Sequence, residues 1–350
     1  MRIAAAFLSG LASIGLPALF APVYGGLGSI LMFHRVAELP ARTKGFAPHA
    51  GLMISPAFLD AVLVRLLERG YDLVSLDEAH RRIEAAAGTA AAARRFACLT
   101  FDDGFRDSLG ALSVCRRHGA PMTIFLATGL LDRTAWDWSF GAERLVACVD
   151  EVRLAVFGRE ERLPAKSVSE KRLAYERVRR VLTDLGEDAP AVAATLTERH
   201  GIDLRAVSET MFLEWREAKD MAKDGLTAFG AHSVRHVSLL GLPERALRDE
   251  MEGSRRRIEA QLGRPAAHFA YPFGGPKNAG AREFRMAREL GFSTALTTRH
   301  GNVMPAHADA LHALPRLSVN GRMQTLAAID LFLSGTCAAL ANPFRRAAGA

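Results

Sequence analysis

Phe96-Ala97-Cys98-Leu99-Thr100-Phe101-Asp102-Asp103-Gly104 is an apolar run that stops at two adjacent carboxylates and a glycine. Six apolar or β-branched residues bounded by an Asp-Gly turn signal read as a buried strand that leaves both acids at the rim of a sheet. In an extended chain neighbouring side chains point to opposite faces, so Asp102 and Asp103 are placed for different tasks within one small site. One can hold a cation while the other handles protons. A strand followed by an ordinary turn would leave the same pattern, so this stretch needs a second one beside it.

The second stretch is Phe229-Gly230-Ala231-His232-Ser233-Val234-Arg235-His236, with two imidazoles four residues apart. On a helical turn that spacing puts both rings on one face, close enough to share a metal ion. Two imidazole nitrogens and one carboxylate oxygen make a facial set that leaves positions open for water and substrate. The His-Glu-x-x-His protease helix is excluded, because Ser233 stands where the glutamate base would have to be.

Thr100 to Gly104, Thr-Phe-Asp-Asp-Gly, and His232 to His236, His-Ser-x-x-His, together resemble the two leading motifs of the polysaccharide deacetylase (NodB-homology, carbohydrate esterase four) family. The resemblance implies an α/β fold, an irregular (β/α)7 barrel with a helical insertion, extending from about Ile30 to Val319. It implies a divalent metal, Zn2+ first, held by Asp103, His232 and His236, with Asp102 as general base. His34, in Phe33-His34-Arg35-Val36, is implied as general acid, with His300 and His312 as rivals. Phe269-Ala270-Tyr271-Pro272-Phe273-Gly274 is similar to the third motif, where the Phe273 backbone N–H helps to hold the oxyanion. That motif's arginine has no counterpart before Pro272. Arg316, in Leu314-Pro315-Arg316-Leu317, is the candidate to replace it as partner of the base. The implied reaction is removal of N-acetyl groups from N-acetylglucosamine-containing poly- or oligosaccharides. A catalytically silent glycan-binding relative and an O-acetyl esterase are the alternatives.

The chain has 350 residues, 49% hydrophobic and 24% charged, with a net charge of +7. This suits one large α/β domain with an insertion. The excess charge is mostly arginine, as in Arg255-Arg256-Arg257, and a basic rim attracts anionic glycans or lipid headgroups. No aromatic interleaving or module points to nucleic acid. Cys98, Cys115, Cys148 and Cys337 show no Cys-x-x-Cys spacing, which argues against a disulfide framework or structural zinc and points to a reducing compartment. The expectation is therefore a cytoplasmic or inner-membrane-associated protein rather than an exported one. Met1 to Phe20 is apolar with one charge, Arg2, and is broken by Pro17. A signal, an anchor and a helix packed on the barrel or lying on a membrane surface all remain open for residues 1–28.

Strand starts at Ser29, Tyr71, Ala97, Met122, Leu226, His268 and Phe292 give seven strands alternating with helices, the pattern of parallel strands with crossover helices. Ser55-Pro56 opens a helix with apolar face Leu59, Val62, Leu63, Leu66 and Leu67. Trp136-Asp137-Trp138 offers two rings that either stack on a sugar or anchor a loop. From Gly141 to Ile202 no strand pattern appears, so 141–210 reads as a helical insertion with helices at Glu143 to Phe157 and Glu170 to Leu185. The barrel is expected over 29–320, and 321–350 as a helical tail beginning with Leu326 to Leu333.

Overall fold

The computed structural model describes residues 15–38, 45–86, 94–156 and 159–341. Among them, seven parallel strands close into a barrel: β1 (Gly28–Phe33), β2 (Phe96–Phe101), β3 (Met122–Leu126), β4 (Thr227–Ala231), β5 (His268–Ala270), β6 (Thr294–His300) and β7 (Leu314–Ser318). Each strand pairs with its neighbours in sequence order. The ring shuts where β1 lies between β2, in register from Gly28↔Phe96 to Phe33↔Phe101, and β7, at Leu31↔Leu317. Period-two alternation explains the two cores. Ile30, Cys98, Phe125, Leu296 and Leu314 face inward as one cluster, while Leu31, Leu99, Phe101, Ile124 and Leu317 face out against the helices.

Helices cover the outside. Ser55 caps Pro56–Glu68 by accepting the Phe58 N–H, and Leu59, Val62, Leu63 and Leu66 are buried. Leu67, expected on that face, is instead 46% exposed. Helix Glu244–Leu262 ends at Gly263, whose φ of 65° closes it in the left-handed conformation.

The strand count is seven as expected, but its membership changes. Asp72–Leu73 pairs only with the first residues of β2 and stays outside the ring; the missing member is β7. The insertion also departs from the all-helical reading. Its first helix, Trp138–Cys148, ends before Phe157, and Glu151–Val156 then pairs antiparallel with Arg159–Pro164. Among the described side chains of the first hairpin strand, Val152 and Leu154 are buried, against helices Trp138–Cys148 and Ala189–Glu198 in a core separate from the barrel's.

Residues 1–14 of the apolar N-terminus lie outside the described residues, as does the end of the tail from 342. Leu16–Tyr24 is a helix with Pro22 inside it, packed on helices Leu326–Leu333 and Thr336–Ala341. Gly335, at φ 72°, meets it where an added Cβ would lie 2.4 Å from the Tyr24 carbonyl oxygen, so only glycine fits. Among the described residues no helix is long and apolar enough to cross a membrane.

Candidate active site

The register of β1 and β2 places the first two site residues. Because Phe33 pairs with Phe101, the residues that follow them, His34 and Asp102, leave the barrel side by side, and the Asp102 N–H donates to the Phe33 carbonyl at 3.0 Å. The next residue, Arg35, is anchored by its Nε, which donates to Asp107 at 2.6 Å.

Asp102 continues the inward face of Cys98 and Thr100 and meets Arg316, which rises from the inward face of β7. The pairing is bidentate: Nη1 to Oδ1 and Nη2 to Oδ2, both at 2.7 Å. Arg316 is fully buried, and its Nε donates to the Thr297 carbonyl at 2.9 Å. Burial pushes the Asp102 carboxyl up, but Arg316 and His232 outweigh it and hold the group below the usual range.

Asp103 turns away. Its φ of 73° and the 76° of Gly104 form a left-handed pair, which an aspartate and a glycine tolerate. The turn aims its Oδ1 at His232 Nε2, 3.2 Å away, and at His236 Nε2, 3.1 Å away. Ligand atoms of all three residues lie within 4.8 Å of one another. The two imidazoles hold the Asp103 carboxyl well below its ordinary value against the opposing effect of burial. Burial lowers His236, but the Asp103 carboxylate prevails and raises it to about 9.

The His-x-x-x-His segment is a loop rather than the expected helical turn. His232 follows β4 directly, while Ser233 at φ 63° and His236 at φ 55° reverse the chain and bring the second ring to 5.1 Å from the first. The Ser233 hydroxyl accepts the His236 N–H at 3.0 Å. A residue the motif reading missed holds the loop: Glu250 accepts the Val234 and Arg235 N–H groups, each at 2.9 Å, and the Arg235 guanidinium. The signal was present, since a glutamate lies three residues after Leu247 on the buried face of its helix.

The donor set fits a divalent cation. His232 Nδ1–H donates to the Ala270 carbonyl at 2.7 Å, which fixes the tautomer and leaves Nε2 as the free donor atom beside Asp103. Two imidazole nitrogens and a carboxylate are a zinc ligand set.

Phe273 lies across from these groups, 52% exposed, at φ 60°, with its ring 4.9 Å from that of His236. Among the described residues nothing accepts its N–H. Burial lowers His34 against the pull of Asp103 and Asp102, so this ring senses both carboxylates. His312 is turned to the Phe292 carbonyl at 2.8 Å, and His300 packs edge-on against Phe332, lowered by burial alone.

Two clefts flank the site. One, about 620 Å³, is lined by His236, Phe273, Trp136 and Trp138; the other, about 790 Å³, reaches His34. Asp137 between the tryptophans caps helix Trp138–Cys148 by accepting the Ser139 N–H at 2.8 Å. His49, paired with Glu143 and 3.2 Å from the Tyr175 hydroxyl, stands between the clefts and was not foreseen.

Barrel and rim together define a class, the (β/α)7 barrels with their polar groups at the carboxyl ends of the strands. Residues 90–295 match the family described as Polysaccharide deacetylase, and the chain belongs to that family. Its fold is similar to that of a Streptococcus pyogenes deacetylase, PplD, solved with acetate: TM-score 0.57 at 18% identity, covering 86% of this chain and 96% of that one. It is also similar to IcaB from Ammonifex degensii, with TM-score 0.55, 18% identity and coverages of 88% and 98%. A de-N-acetylase from Aggregatibacter actinomycetemcomitans gives 0.52, 13%, 87% and 98%. No curated protein matches the sequence.

Proposed function

We propose that this protein is a metal-dependent deacetylase that removes N-acetyl groups from N-acetylglucosamine units of a glycan. The observation that carries the reading is the convergence of Asp103, His232 and His236 beside a second carboxylate, Asp102, that stays outside the cluster. A zinc ion bound by those three residues supplies Lewis acidity toward a carbonyl and makes water more acidic. Asp102, ionised by its pairing with Arg316, accepts the proton of the attacking water. The Phe273 N–H donates to the carbonyl oxygen as negative charge develops there. His34 gives a proton to the departing amine, so the acetyl carbon ends as acetate and the sugar as a free amine. The bidentate Arg316 contact also speaks against a silent binding relative, because it gives the base the cationic partner that the third motif lacks.

Acetate release from chitooligosaccharides, measured with and without a chelator and with bound metal quantified, tests the proposal. Release that stops on chelation and returns with zinc is the expected result. Release from O-acetylated but not N-acetylated glycans would move the assignment to an esterase.

A further inference from the structure

The cleft that reaches His34 has a charge pattern that the deacetylation chemistry leaves unused. Among the described residues, Arg172, Arg179 and Arg322 line it with one acid, Glu176. Arg179 is paired with that acid at 2.8 Å, whereas among the described residues neither Arg172 nor Arg322 forms an ion pair. Both side chains are exposed and lie beside the 45–52 segment. Arg172 Nη2 donates to the Gly45 carbonyl at 3.1 Å. Arg322 lies over Gly51, where an added Cβ would be 3.1 Å from its Nε. Its neighbour Gly321 donates to the Gly51 carbonyl at 3.0 Å, and an added Cβ there would lie 2.2 Å from the Ala50 oxygen, so the turn carrying Arg322 is pressed onto the 48–52 loop. Like charges gathered along one cleft raise its free energy, and a bound anion lowers it again through charge-assisted hydrogen bonds. The other cleft, with Trp136, Trp138 and Phe273, suits the apolar face of a neutral sugar ring.

We propose that the His34 cleft is an anion subsite that binds a phosphoryl or carboxylate group carried by the substrate, on the sugar bearing the acetamido nitrogen or on the unit attached to it. This rests on the function proposed above, since a proton donated by His34 to the amine puts the sugar, and not the acetyl group, on the arginine side.

The test compares acetate release from three substrates: a neutral chitooligosaccharide, an oligosaccharide alternating N-acetylglucosamine with glucuronate, and N-acetylglucosamine 1-phosphate. Each is assayed with the wild type and with Arg172→Gln/Arg322→Gln across a salt series. The expected result is a wild-type kcat/KM at least tenfold higher for one of the anionic substrates than for the neutral one, carried by KM and diminished by salt. In the double variant that ratio falls at least tenfold. Which anionic substrate responds separates carboxylate from phosphoryl recognition. Equal kcat/KM for all three, or a ratio unchanged in the double variant, would overturn the subsite while leaving the deacetylase reading intact. If no substrate releases acetate, the proposed function fails instead. Calorimetric binding of the two anionic sugars then decides the subsite by itself, binding weakened in the double variant supporting it and no binding to the wild type refuting it. Should the double variant fold poorly, the wild-type salt series decides: loss of the anionic preference with salt supports the subsite, and salt-independent rates refute it.

Discussion

Asp102 and Asp103 are the same residue type on adjacent positions, and their neighbours alone make them different. Asp102 looks inward to one guanidinium, and Asp103 is turned by a left-handed φ to two imidazoles. Breaking a buried ion pair from one side leaves an uncompensated charge and costs about 3–5 kcal/mol. Arg316→Met should therefore lower unfolding free energy by about that amount at pH 7, as read by denaturant melts. The sign follows from the depressed carboxyl: its stabilisation is complete above the ordinary carboxylate pKa of about 3.9 and fades as pH falls below it. Without Arg316 burial prevails and the Asp102 pKa rises, so the acid limb of the rate profile should move to higher pH; an unmoved limb would separate Arg316 from the base. His236 supports a second expectation. Its pKa of about 9 means that a cation taking its Nε2 must expel a proton at neutral pH. Zinc binding in buffers of different ionisation enthalpy should release close to one proton from this group at pH 7 and progressively less above pH 9. Release that does not change with pH would contradict the pairing. The motif residues themselves were legible because their chemistry is carried by residue type. Arg316 was named as partner of Asp102 through the family resemblance of Leu314-Pro315-Arg316-Leu317 and not through any spacing, since only barrel closure joins positions so far apart in the chain.

At the scale of elements, the loop after β4 shows why spacing alone misleads. Two histidines four residues apart satisfy a helical face, yet Ser233 and His236 take positive φ, and the resulting reversal reaches the same convergence without a helix. The buried Glu250 stabilises that reversal through two backbone N–H groups. Glu250→Ala should weaken zinc binding about 10–100-fold, measured by competition with a chelator, with Glu250→Gln intermediate because it keeps an acceptor. Wild-type affinity in Glu250→Ala would show that the loop holds itself. Strand β7 escaped the count because Leu-Pro-Arg-Leu-Ser breaks an apolar run with a proline and a charge. The charge is tolerated there because Arg316 faces a carboxylate inside the barrel. The Glu151–Pro164 hairpin escaped for the opposite reason: its charged outer face hides a two-residue apolar alternation at Val152 and Leu154.

For the whole molecule, closure of the ring gathers every strand's carboxyl end on one rim, while the insertion, with its own core, walls the clefts above it. The cysteines report on that closure. Cys98 faces the barrel interior, where burial pushes its thiol far up, and burial raises Cys115 to about 12. Cys148 alone among the four is exposed. Native alkylation near neutral pH should therefore label Cys148 first and leave Cys98 unmodified, as mapped by peptide mass spectrometry. Labelling of Cys98 at a comparable rate would mean that the barrel is open. The claim on which the rest depends is that closure brings Asp103, His232 and His236 around one cation and leaves Asp102 free for chemistry. Metal content per chain, measured side by side in wild type, Asp102→Asn and His236→Ala with acetate release recorded on the same samples, tests it most directly. The expected result is about one metal in wild type and Asp102→Asn, with turnover lost about 10²–10⁴-fold in the latter, and neither metal nor turnover in His236→Ala. Full metal retention by His236→Ala, or near-normal turnover by Asp102→Asn, would contradict the account.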